Sequence, residues 1–232
     1  KKKNNMTNVK PTELNYDHYE MDKYDEDIVN SIPGHRELHT EIIKIVSKIN
    51  SNPLILDLGV GTGLTTQVIA KNTENPHFIL MDFSQKMLDG AKKKLKGFDC
   101  EFILGDYSTL DLPKEVDVVV SVIGFHHQGD DKNKEQMLKK IFDCLKKGGI
   151  FILGDLMTYE DKELSALNDA HHYHFLVEKA KDEKTLKEWA HHHKYLNPLS
   201  SWEKHIKWMK EIGFKTEIKF QKYNTFLILG KK

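Results

Sequence analysis

The sequence predicts an α/β fold: a doubly wound, mostly parallel sheet of seven strands with helices on both faces. Three observations carry that expectation. Runs such as LILDL at Leu54–Leu58 and VDVVVSVI at Val116–Ile123 are apolar on both faces, as strands buried inside a parallel sheet are. These runs alternate with segments of helical spacing, the order that right-handed crossovers require. Three glycines, Gly59, Gly61 and Gly63, end the first run at every second position, and helical spacing resumes at Leu64. Such a turn lets a ligand approach bare backbone at the carboxyl rim of the sheet.

Each element follows in order. Residues 1–15 are basic, polar and broken by Pro11, and read as a disordered arm ahead of one domain over 16–232. Leu14 to Ser31 reads as a helix whose Tyr16, Tyr19 and Tyr24 lie either over a ligand or against the sheet edge. Ile32-Pro33-Gly34 breaks it, and Glu37 to Ile49 is amphipathic, with Leu38, Ile42, Ile45, Val46 and Ile49 on one face. After Leu54–Leu58 and its glycine turn come a helix over Leu64 to Lys71, a strand over His77 to Asp82 and a helix over Ser84 to Lys96. Ser84 is placed to cap that helix. Cys100 to Gly105 and Val116 to Ile123 are further strands. Lys132 to Lys147 is a helix with Met137, Ile141 and Leu145 inward and Gly148-Gly149 as its cap, and Ile150 to Leu153 is the fifth strand. Thr158 to Ser200 interrupts this pattern as a charged, mostly helical cap insert. Trp202 to Ile212 is amphipathic, Gly213 stops it, and Phe214 to Phe220 and Thr225 to Gly230 are two strands about a turn at Tyr223-Asn224.

Composition excludes several classes. Lys plus Arg and Asp plus Glu each number 35, so no overall field recruits nucleic acid. Cys100 and Cys144 are too far apart for a CxxC pair and suit a reducing compartment as plain core residues. No apolar run reaches the roughly 18 residues of a membrane span and no signal peptide is visible, which points to the cytoplasm. Arg36 is the single arginine among the 35 basic residues. It is either a planar fork kept for a carboxylate or a surface residue left by chance.

The glycine turn is more specific than a lone glycine-rich loop. A dinucleotide fingerprint would place its third glycine at Leu64, so that reading starts with a mismatch. With Asp57 before it, D-x-G-x-G-x-G resembles the first motif of the class I S-adenosylmethionine (SAM) methyltransferases. That resemblance implies that Asp57, Gly59, Gly61, Thr62 and Gly63 hold the methionine end of SAM, that Asp82 beside Phe83 takes the ribose hydroxyls, and that Asp106, flanked by Gly105 and Tyr107, faces the adenine amino group. It also implies an antiparallel final strand and a place for Ser121 near the cofactor. Met87 falls where the family lays an apolar side chain on the adenine, and a core methionine is the equal alternative. The stretch YDEDIVNSIPGHREL resembles the lead-in of a subgroup that includes the carboxy-SAM synthases of transfer-RNA wobble-uridine modification. There it closes over the cofactor, which places Tyr24, His35 and Arg36 near a carboxylate.

In small-molecule methyltransferases an insert of this kind commonly forms a lid that determines the acceptor. Here it carries His171, His172, His174 and His191 to His193. His171 and His174 lie one helical turn apart and, with Asp155, Glu160 or Asp169, present metal-ligand types. No defined ligand spacing accompanies them, so the expectation is no metal and a polar lid in which His171, Tyr173 and His174, with Trp202, face a substrate. Methyl transfer from a sulfonium is an in-line displacement, and a base is needed only when the nucleophile arrives protonated. Phe125-His126-His127 follows the fourth strand, where the family places residues nearest the methyl. His126 or His127 is a candidate base; the alternative is a ring that holds a loop. The same segment lacks the (N/D)PP(Y/F) signature of adenine and glutamine N-methylation. The sequence therefore predicts a SAM-dependent methyltransferase acting on an N, O or S nucleophile of a small molecule. A carboxy-SAM synthase using prephenate, whose added carboxylate would have only Arg36, Lys204 and Lys207 as basic candidates, and a non-catalytic SAM-binding protein are the rivals.

Overall fold

A computed structural model describes residues 20–232. The expected disordered arm, Tyr16 and Tyr19 lie outside the described residues. Two helices, α1 (Met21–Ser31) and α2 (His35–Val46), precede β1 (Leu54–Leu58), α3 (Leu64–Ala70), β2 (His77–Asp82), α4 (Gln85–Lys94), β3 (Asp99–Leu104) and β4 (Val116–Val122). A single 3-10 turn (Phe125–Gln128) leads to α5 (Asp131–Cys144) and β5 (Leu145–Leu156). The insert supplies α6 (Lys162–Lys179), α7 (Glu183–His191) and a π turn (His192–Leu196), before α8 (Trp202–Ile212), β6 (Lys215–Lys222) and β7 (Thr225–Lys231).

The sheet has the order β3-β2-β1-β4-β5-β7-β6. Strands β1 to β5 pair in parallel, and β7 runs antiparallel between β5 and β6. Both faces are covered. On one, Leu56, Leu58, Val119, Phe151 and Ile228 pack with Leu138 and Ile141 of α5 and Trp208 and Met209 of α8. On the other, Ile55, Phe78, Leu80 and Val120 pack with Leu38 and Ile42 of α2 and Leu88 and Ala91 of α4. Burial on two faces is why these strands carry unbroken aliphatic runs. The strand order reverses at β1, with β2 and β3 on one side and β4 and β5 on the other, so a crevice opens beyond the carboxyl ends of β1 and β4.

Two expectations are corrected. Helix α2 begins at His35, two residues early, because Gly34 takes a left-handed turn (φ 72°) and closes the break after Pro33. Gly148-Gly149 does not cap α5. The helix ends at Cys144, Leu145 is already extended and pairs with Val116, and the glycines lie within β5 at a register shift. The Gly148 amide donates to the Lys232 carbonyl and the Lys232 amide to Gly149. A Cβ on Gly149 would stand 2.9 Å from the Lys146 carbonyl oxygen and 3.1 Å from that of Val116, so this bulge excludes side chains. Cys100 and Cys144 are free thiols, as expected.

Candidate functional site

The crevice at the end of β1 is lined by Tyr24 and Ile28 of α1, His35 of α2, Asp57, the turn Gly59–Thr62, Leu64, Thr65, and Val122-Ile123 at the end of β4. Gly59, Gly61 and Gly63 all have positive φ (80°, 56° and 84°), which any β-carbon would resist. Above Gly61 nothing lies within 4 Å of the place a Cβ would take, so the turn is bare toward the crevice. Helix α1 is clamped onto it: the Thr62 hydroxyl and the Lys94 ammonium both donate to the Asp25 carboxylate. Ile123 has φ 51°, an uncommon conformation for a β-branched residue, and strained backbone clusters at working sites.

The turn's donors face inward. The amides of Gly59 and Val60 donate to the Met81 carbonyl at 2.8 and 3.0 Å, and the Gly63 amide donates to Val60. The Gly61 amide donates to Asp82 Oδ2 at 2.8 Å, while Asp82 Oδ1 accepts from Ser84 N at 2.9 Å. These amides have no hydrogen left for a phosphate, which argues against a nucleotide cradle of the kind the glycines alone suggest. Asp57 lies at the base of the crevice, 3% exposed, with the Thr66 hydroxyl donating to its Oδ2 at 2.6 Å. Burial pushes its carboxyl up to about 7; the Thr66 bond opposes that shift and the Asp82 charge adds to it. Burial holds the His35 imidazole down at about 3, helped by His39 and Arg36, so it is neutral. A buried carboxylate beside a neutral imidazole, with no Lys or Arg among the lining residues, favours a ligand that brings positive charge.

The predicted cofactor residues divide. Asp57, Gly59, Gly61, Thr62 and Tyr24 line the crevice. Gly63 sits beneath it, with Leu95 3.2 Å from where its Cβ would be. Asp82 is buried at its far side and binds backbone through both oxygens. Asp106 is half-buried and accepts from Ser108 N and Oγ, and the Gly105 amide donates to the Asp82 carbonyl. Phe83 is half-buried, Met87 is 2% exposed, and Ser121 is buried with an unpartnered hydroxyl. Tyr107 is a core residue, packed beneath Gly59. Arg36 is exposed, and its neighbour His35 takes the lining position, because α2 turns position 35 inward.

Behind Ile123 the 3-10 turn carries His126 and His127 under the insert. Asp155, fully buried, accepts from His126 Nδ1 at 2.5 Å, from the His126 amide at 2.7 Å and from the Leu156 amide at 2.9 Å. The other ring nitrogen, Nε2, lies 3.1 Å from Asn197 Oδ1, a hydrogen-bond acceptor. His127 stacks beside His126 and meets His192 edge-on. Burial holds His127 well below its ordinary value and His192 down at about 4, so both are neutral. Neither His126 nor His127 is among the crevice-lining residues. Lys134, also buried, ties the root of the insert by donating to Pro198 O and Ser200 Oγ.

The insert's predicted substrate residues are not among those that line the crevice. His174 lies on the outer face of α6, paired with Glu178, and His171 is exposed and stacks on Tyr223. Trp202 stacks on Phe226 as part of the core margin. The inward face of α6 carries Asp169, His172 and Leu176 instead, because helical spacing from the buried Leu176 selects those positions. His172 stacks on His193, and Tyr173 meets His193 edge-on. Among the described residues no three His, Cys, Asp or Glu side chains are grouped to hold a metal, and no helix is long and apolar enough to cross a membrane.

Residues 55–149 match the family model described as a methyltransferase domain, the stretch from β1 through the glycine turn to β5. The match takes in about two fifths of the chain and supports the class I SAM-dependent methyltransferase family. A carboxy-S-adenosyl-L-methionine synthase of Nautilia profundicola is similar to this chain at 30% identity over 148 residues, 62% of each protein. One from Helicobacter hepaticus is 28% identical over 220 residues, 90% of each. The chain thus spans about three fifths of the first synthase's length and most of the second's. An O-methyltransferase family 2 protein of Planctomyces limnophilus, solved with apigenin, shares the fold: TM-score 0.62, 16% identity, 96% of this chain and 65% of that one. The family's cofactor is SAM. The crevice fits it on the ground already given, inward amides over a buried carboxylate, because the methionine end of SAM is cationic.

Proposed function

We propose that this chain is an enzyme that transfers the methyl group of SAM to a nucleophile of a small molecule. The observation that carries the reading is the pairing of the bare left-handed turn with Asp57 under a roof of Tyr24 and Ile28. When bound, SAM supplies an electrophilic methyl on a sulfonium. Asp57 and the turn hold the methionine end, Asp82 and Asp106 the adenosine, and α1 excludes water once Asp25 has closed on Thr62 and Lys94. The Asp155 carboxylate orients the His126 ring, whose Nε2 would take the proton of a methyl acceptor that displaces the Asn197 side-chain oxygen from it. Saturable binding of SAM by calorimetry, with loss of affinity in Asp82→Ala, supports the cofactor assignment; no heat of binding overturns it. Labelled-methyl incorporation across a metabolite pool tests turnover.

The likeness to carboxy-SAM synthases favours a second reading, in which a carboxylate is placed on the cofactor. Against it stands the lining, which offers no Lys or Arg for an added carboxylate. Mass spectrometry of the nucleoside formed from SAM and prephenate decides: a carboxylated product establishes the synthase, its absence beside a methylated acceptor the methyltransferase.

A further inference from the structure

The stretch that follows β3 is held in one shape by contacts from three directions. At its start, Leu104 pairs with Asp82 and the Gly105 amide donates to the Asp82 carbonyl at 2.9 Å, which sets Asp106 on the same carboxyl rim as Asp82. The Thr109 and Leu110 amides both donate to the Asp106 carbonyl, at 3.0 and 3.1 Å, so residues 106–110 make a single helical turn. The Asp106 side chain heads that turn: its Oδ1 accepts from Ser108 N at 2.9 Å and from Ser108 Oγ at 2.7 Å. Both bonds fall on one oxygen, which fixes the plane of the carboxylate and leaves Oδ2 for a ligand's donor. The turn is folded tightly, since a Cβ on Gly105 would stand 2.8 Å from Leu110 Cδ1.

The far end of the turn is held by α5. Lys140 Nζ donates to the carbonyls of Tyr107 at 3.0 Å, of Ser108 at 3.2 Å and of Leu110. An ammonium has three hydrogens, and three carbonyls at the end of a helical turn converge on it, each bond strengthened by the charge. The neighbours of Lys140 on α5, Met137, Leu138 and Ile141, are buried in the core, so the ammonium stands on a fixed platform. Ser108 and Thr109 are exposed, so water can serve this end of the turn if stability alone is at stake. What the lysine adds is one orientation of the turn, and hence of the carboxylate that heads it.

We propose that Lys140 is a positioning residue: it aims Asp106 at the amino group of the cofactor's adenine and so sets the preference for adenine over a base with a carbonyl oxygen at that place. The inference rests on the SAM reading, with Asp106 as the adenine contact. A carboxylate accepts from an amino group and repels a carbonyl oxygen, so a fixed carboxylate discriminates between the two and a turning one does not.

The test titrates S-adenosylhomocysteine and S-inosylhomocysteine, which carry an amino and an oxo group there, into the full chain by calorimetry. The wild type is expected to prefer the adenine ligand by about tenfold or more, the scale of a hydrogen bond to a charged group, and Asp106→Ala to bind the two within about twofold. Lys140→Met is expected to lower the preference to about threefold or less, with the fold retained by circular dichroism. Lys140→Gln, milder because it keeps an amide donor on a shorter stem, is expected to fall between. Lys139→Met, which removes an exposed neighbour of equal charge, is expected to keep the wild-type preference. In the Asp106→Ala background, Lys140→Met is expected to change both affinities by one factor, because the lysine acts through Asp106. A preference unchanged in Lys140→Met, or in Lys140→Gln where Lys140→Met does not fold, overturns the proposal. So does an equal fall in Lys139→Met, or a further change of preference in the Asp106→Ala background. Those failures appear only in the variants. A wild type that binds neither ligand overturns the SAM reading itself, and one that binds both equally overturns the adenine role of Asp106, each taking the proposal with it.

Discussion

Binding of SAM should be coupled to a proton at Asp57. The carboxyl is buried and pushed up to about 7, so at neutral pH about half the free protein carries it protonated. A cationic methionine end favours the ionised form, and binding therefore releases that proton. Affinity then follows the ionised fraction, which rises from about one in thirty at pH 5.5 to about one half at pH 7, a gain of roughly fifteenfold. The sign is fixed: the folded value lies above the ordinary 3.8, so ionisation is what the empty protein resists and what the ligand must supply. Asp82, also pushed up by burial, adds in the same direction. His35, held near 3, does not titrate in this window. Calorimetry between pH 5.5 and 7 in buffers of different ionisation heat reads both affinity and proton release, and the window avoids deprotonating the ligand's own amine. Asp57→Asn, which retains a partner for Thr66, should bind more weakly at pH 7 and show a much flatter profile. A wild-type affinity that changes less than twofold, or an equal slope in the variant, refutes the coupling.

Other outcomes follow from single contacts. Asp25→Ala removes the clasp between α1, Thr62 and Lys94 and should speed release of S-adenosylhomocysteine about fivefold, read by stopped flow, the scale expected for a partly buried pair. Gly149→Ala drives a methyl into two backbone carbonyls and should cost about 1–3 kcal/mol in urea denaturation. Lys134→Met leaves the Pro198 carbonyl without its donor and should expose the root of the insert to proteolysis within 192–200 at a loss of about 1–3 kcal/mol. Ile123→Gly relieves about 1–2 kcal/mol of left-handed strain, which offsets lost burial, so stability should change by under about 1 kcal/mol while SAM affinity falls.

The strands β1, β2 and β4 were legible because each is buried on two faces and the sequence shows this as unbroken aliphatic runs. The glycine turn was legible in position but not in polarity. Its amides face Met81 and Asp82, and that depends on how β2 lies beside β1, which no spacing reveals. Gly148-Gly149 misled because a glycine pair after a helix has two uses, cap and bulge, and only the pairing of Leu145 with Val116 selects between them. The insert was least legible. Six histidines in two clusters gave no period, and which of them turn inward was decided by Leu176 anchoring α6. Asp25 and Asn197 carried no signal at all, since each acts through a partner 37 or more positions distant.

The two halves of the site share one electrostatic character. In the crevice a buried carboxylate stands beside a neutral histidine; under the insert, Asp155 and Asp169 stand among imidazoles, of which burial keeps His127, His172 and His192 uncharged. The lysines nearest these groups are already bound, Lys94 to Asp25 and Lys134 to Pro198 and Ser200. A chain with 35 basic and 35 acidic residues thus has no net field, yet its working surfaces lean negative. That is suited to a ligand that carries a sulfonium. A methyl acceptor that arrives protonated must lose its proton to attack such a group, and His126, oriented by Asp155, is the imidazole proposed to take it.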